Sequence, residues 1–117
     1  MAGFTTAFSR TTLDAAIVNG DVIRYSEDGA SATTHVAATS IAGWDASTDA
    51  DPTLRKNTSA VDSAACDADA VVITHWSIWN SGSTVQKTDW VAFSPSETLN
   101  TGDKLAWAAL ACVVTLT

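Results

Sequence analysis

Basic residues are scarce in this chain. Six Lys plus Arg stand against thirteen Asp plus Glu, giving a net charge of −7 at pH 7. Nucleic-acid phosphates are held by clustered cations, so this balance argues against nucleic acid as a partner. It argues equally against an anionic membrane surface. Long apolar runs are missing: none approaches the roughly 20 residues of a membrane helix, and no basic-then-apolar signal layout opens the sequence. With only Cys66 and Cys112, at most one disulfide can form, and buried free thiols are the expected state. No Cys/His spacing suits zinc. Gly3, Gly20, Gly29, Gly43, Gly82 and Gly102 stand singly, so no Gly-rich phosphate loop exists.

The chain does have tryptophan: five, against one Tyr and one Met. Two lie in Ala70–Asn80 (AVVITHWSIWN), where six of eleven residues are Val, Ile or Trp. Such side chains suit a pleated, half-buried surface and crowd a helix. Alternation puts Val72, Thr74, Trp76, Ile78 and Asn80 on one face and Val71, Ile73, His75, Ser77 and Trp79 on the other. Both faces are apolar, which predicts a central strand. At 117 residues the chain is long enough for one domain with a core of its own.

The rest of the pattern is arranged around that strand. Residues 3–18 predict a helix, with Phe4 and Phe8 on one stripe, Leu13 and Ile17 beside it, and Asn19-Gly20 as its left-handed cap. Strands are expected at Asp21–Ser26, Ala32–Ile41, Ser59–Ser63 and Thr84–Phe93, and in the alternating Leu110–Thr117. Gly43–Asn57 reads as a long polar loop, and Ser94–Asp103, with Pro95, as a connection. Strands at about 10-residue spacing, joined by turns, predict a sandwich or barrel, and the length predicts one domain over 1–117. Its class is mainly β, an antiparallel, jelly-roll-like sandwich over 21–117 with the helix against it.

Residues able to do chemistry are few. His75 sits between apolar neighbours and is expected to be packed and hydrogen-bonded; no neighbouring residue makes it a general base. Asp45, Asp49 and Asp51 lack the spacing and mid-loop Gly of a calcium loop. No nucleophile elbow occurs. The chain is therefore expected to have no catalytic residues, metal, cofactor or small-molecule substrate. Aromatic side chains at loop edges and on the helix are the candidate interface: Trp44, Trp90, Phe93, Phe4 and Phe8.

Ile73–Asn80 (ITHWSIWN), its Ser/Gly turn, Trp90–Phe93 and Leu99–Leu105 (LNTGDKL) together resemble a group of small tailed-bacteriophage structural proteins. Asn57–Val61 (NTSAV) is similar to a strand of that group upstream of the histidine, and Phe4…Leu13-Asp14…Gly20 is loosely similar to its N-terminal helix. The resemblance runs from Asn57 to the end; Ser26–Arg55 has no counterpart, and Asn80 stands where the group prefers Asp. It implies a non-enzymatic virion protein made in the host cytoplasm. The expected role is capsid decoration (cement) on the outside of the head, with the major capsid protein and further copies of itself, as a trimer, for partners. A minor tail or fibre component is the alternative. A carbohydrate-binding sandwich with Trp44, Trp90 or Trp107 as stacking platforms is an alternative of another class. An enzyme would need a carboxylate brought to His75.

Overall fold

One helix and eight strands, most of them short, are formed by the residues that the computed structural model describes, 5–48 and 52–116. In order they are α1 (Thr6–Ala16), β1 (Val22–Ser26), β2 (Thr39–Ser40), β3 (Thr53–Lys56), β4 (Val61–Asp62), β5 (Val71–Trp79), β6 (Val91–Leu99), β7 (Ala106–Trp107) and β8 (Val113–Leu116). The chain is mainly β, with every strand pair antiparallel and the helix first.

β5 is an inner strand of a four-stranded sheet ordered β2–β1–β5–β6, as its composition predicts. Its register with β1 is unbroken from Val22↔Trp79 to Ser26↔His75. Ile23 and Tyr25 therefore share a face with Trp76 and Ile78, and all four are buried. Each fully buried isoleucine contributes about 2 kcal/mol to folding. The register with β6 is broken. Ile73 pairs with Glu97 but His75 with Ala92, leaving Phe93, Ser94, Pro95 and Ser96 opposite Thr74 alone. The Ser94–Pro95 peptide is cis. The single-face alternation expected along β5 is not kept across Thr74. Val71 and Ile73 join the same core as Trp76 and Ile78.

Two two-stranded ladders, β3–β8 and β4–β7, supply the second layer of this sandwich-like arrangement. Trp107 of β7 meets Trp76 edge-on at 5.3 Å and Phe93 at 5.7 Å. Its Nε1–H donates to the Tyr25 hydroxyl at 2.9 Å, which lies 2.7 Å from Thr39 Oγ1. Cys66 and Cys112 are buried free thiols, and burial pushes the Cys112 thiol up to about 12.

The helix is capped by Thr5, whose Oγ1 accepts the Phe8 N–H. Leu13 of the helix and Ile17, its C-cap, are both buried, four apart as predicted. It is tied to β3 by Arg55, whose guanidinium lies 2.7 Å from Asp14. Burial pulls the Asp14 carboxyl up, but the Ser47 hydrogen bonds and Arg55 outweigh it and leave it below its ordinary value. The predicted cap is corrected. Ile17 is already extended, and Gly20, at φ +90°, instead forms the turn into β1 with its N–H on Ile41 O.

Other boundaries also move. Only Thr39–Ser40 of Ala32–Ile41 becomes a paired strand, with Ala32 making a lone bridge to Ser26. The expected loop Gly43–Asn57 contains β3, whose short polar sequence is held by pairing with β8. β6 starts at Val91 and runs through Pro95 to Leu99, because proline is tolerated at a bulge in an outermost strand. Leu110 lies outside β8, exposed, with φ +64°.

Candidate interaction surface

Both histidines are occupied in holding the fold. His75 Nδ1 lies 2.8 Å from Thr74 Oγ1, and its ring is packed on Gly29. A Cβ there would come within 2.8 Å of the ring, and the φ of +73° favours glycine as well. The carboxylate-paired histidine is His35 instead, 2.7 Å from Asp67 Oδ1, and both side chains are well exposed on the surface. That pair clamps two loops, since the Asp67 N–H also donates to His35 O. Asp45 is exposed and gives its backbone to Lys56 and Arg55; Asp49 and Asp51 lie outside the described residues. Among the described residues, no group of three or more His, Cys, Asp or Glu side chains gathers.

Asp28 closes the loop after β1. Its Oδ1 accepts the Ser31 and Ala30 N–H groups and the Ser26 hydroxyl, and these bonds hold the carboxyl down to about 2. A value lowered on folding means that the stabilisation is present above the ordinary 3.8 and is lost as pH falls through about 2. The Ala30 and Ser31 amide resonances should therefore titrate near pH 2. A midpoint at 3.8 would show that these bonds do not persist in solution.

The aromatic residues do not converge on one patch. Trp44 is corrected to a core residue: it is 7% exposed, with its backbone N–H on Asn19 Oδ1. Phe93 is half-buried against Trp107. Trp90 is half-buried and lies 6.3 Å from Trp79 at an interplanar angle of 55°, while Arg24 stacks on the other partner at 4.6 Å from the Trp79 ring. Phe8 is 52% exposed on α1. Phe4 lies outside the described residues.

Trp90 sits at the end of a strap, residues 80–90, fastened to the sheet. Asn80 Oδ1 accepts the Thr84 and Val85 N–H groups, and Thr88 Oγ1 accepts that of Ile78. Lys87 Nζ reaches Asp21 Oδ2 and Ala16 O, each at 2.7 Å. Asp21 is 2% exposed, so removing its cation leaves a buried carboxylate held, among the described residues, by the Val18 N–H alone. Lys87→Met should cost about 2 kcal/mol, reduced from the fully buried case because water can enter beside the strap. Urea unfolding measures it; a loss within experimental error would mean that the pair is only incidental.

Between the strap, α1 and β8 lies an open cleft of about 420 Å³. Trp76, Leu13 and Ile17 form its floor, all members of the core. Its walls are Thr12 and Ala16 from the helix, Lys87–Asp89 from the strap, Val91 from β6, and Val113–Thr115 from β8. Val91 is 41% exposed. Helical spacing puts Phe8 in line with Thr12 and Ala16 on α1. No sequence window predicts this cleft, because its lining comes from four separate segments. A second groove, under Phe93 and Trp107, has Glu97 and Lys104 of opposite charge along it. Compared with known proteins, the chain matches no family model, no curated protein and no solved structure.

Proposed function

We propose that this chain is a non-enzymatic structural subunit of a tailed-phage particle, a decoration protein bound to the outside of the capsid. One observation carries the reading: both histidines and the buried Asp21 are engaged in structural bonds, and apolar surface is left exposed beside an open cleft. The sequence resemblance from Asn57 onward adds the particle. Such a subunit bridges neighbouring copies of the major capsid protein, so that a pressurised head must break its contacts as well as the shell's own. Three-fold association with itself suits a local three-fold of the shell. Repetition over the shell converts modest affinity per contact into firm attachment, and a net charge of −7 keeps unassembled copies apart.

A sugar platform is disfavoured, because Trp44 and Trp107 are buried and the Trp79–Trp90 pair is tilted and half-covered. The decisive measurement is copy number in purified particles, by quantitative mass spectrometry against the major capsid protein. A ratio near one-to-one is expected. A few copies per particle would move the chain to the tail, and absence from particles would end the virion reading.

A further inference from the structure

The construction of the cleft narrows what it holds. Three consecutive residues of β8, Val113–Thr115, line it. Successive strand residues point to opposite faces, so a wall made of all three is the edge of the strand rather than one face. Among the described strands β8 pairs only with β3. Its other edge carries backbone N–H and C=O groups with no strand beside them. Across the cleft stands Val91, at the start of β6, which is itself an outermost strand. The floor between them is apolar.

Charge then selects the occupant. Lys87 is engaged by Asp21 and Ala16 O. Asp89, exposed and outside any ion pair among the described residues, is left as the net charge at the rim. A second copy is itself acidic, with a net charge of −7 over the whole chain, whereas a cationic partner complements Asp89.

We propose that the cleft takes an extended segment of a partner protein, which adds as a strand to the free edge of β8. The segment is apolar where it meets Trp76 and carries a Lys or Arg toward Asp89. Main-chain bonds to β8 supply affinity, and the apolar floor and Asp89 supply selectivity. This rests on reading the chain as an assembly subunit but does not require a phage particle, so copy number and cleft binding can fail separately.

The test is selection of a random-peptide library on the immobilised full chain. The enriched peptide is then titrated into isotope-labelled chain while backbone amide shifts are followed. The expected consensus alternates apolar and polar residues around one Lys or Arg. Shifts should concentrate at Asp89, Val91 and Val113–Thr115. Affinity should fall about tenfold or more in Asp89→Lys, an exposed position that the fold tolerates, and vanish when alternate peptide amides are N-methylated. No enrichment, a consensus indifferent to Asp89→Lys, or shifts in the groove under Phe93 and Lys104 would overturn the proposal. The same amides shifting with chain concentration in the absence of peptide would overturn it too, by making a second copy the occupant.

Discussion

Trp107→Ala should lower the unfolding free energy by about 4 kcal/mol, the largest loss expected from a single substitution here. The buried indole packs against Trp76 of the sheet and Phe93, as part of the hydrophobic core. Its removal also takes the donor from the buried Tyr25 hydroxyl. Trp107→Phe separates the two effects: it keeps a ring against Trp76 and should cost about half as much. Urea unfolding followed by circular dichroism suits the test, since four other tryptophans complicate fluorescence. A domain of this size has only about 5–15 kcal/mol in hand. A loss below about 1 kcal/mol would mean that the second layer adds little to stability.

Asn57→Ala should follow at about 3 kcal/mol. This side chain is fully buried and satisfied by three bonds. Its Nδ2 donates to Ser59 O at 2.9 Å and Ala108 O at 3.0 Å, and its Oδ1 accepts the Cys112 N–H at 2.9 Å. One amide thus joins the end of β3, the approach to β4 and the turn before β8. Alanine leaves the Cys112 N–H buried without an acceptor, and cavity water repairs only part of the loss. Asn80 provides the control, because it binds the Thr84 and Val85 N–H groups in the same manner at an exposed site. Asn80→Ala should cost about 1 kcal/mol or less, as water takes over there. Equal losses at the two positions would show that burial is not what makes Asn57 matter.

What the sequence disclosed depended on local signal strength. β5 was legible because Val, Ile and Trp dominate it on both faces, and the helix because Leu13 and Ile17 fall one turn apart. β3 (TLRK) was not: its four residues are mostly polar and extended only because β8 lies alongside. β6 was misplaced because Pro95 reads as a break, and only the broken register with β5 shows how the strand accommodates it. Thr, Ala and Val suggested a strand over Ala32–Ile41, but only Thr39–Ser40 pairs as a strand, on β1, beside the lone bridge of Ala32 to Ser26. Among the interface candidates, Trp44 looked like a loop-edge anchor because its bridge to Asn57 is not local in sequence. The cleft was invisible for the same reason: its floor comes from α1 and β5, and its walls from segments far apart in the chain.

The broken pairing of β5 and β6 also bears on how concentrated this protein can become. A long outermost strand ordinarily offers an uninterrupted row of backbone groups on which further chains stack. Here Val91–Ala92 and Glu97–Leu99 keep different registers, with Phe93–Ser96 bowed out between them. An arriving strand that matches one half is out of step with the other. Each half alone is too short to seed a growing stack, so the exposed edge resists amyloid-like polymerisation even at high local concentration.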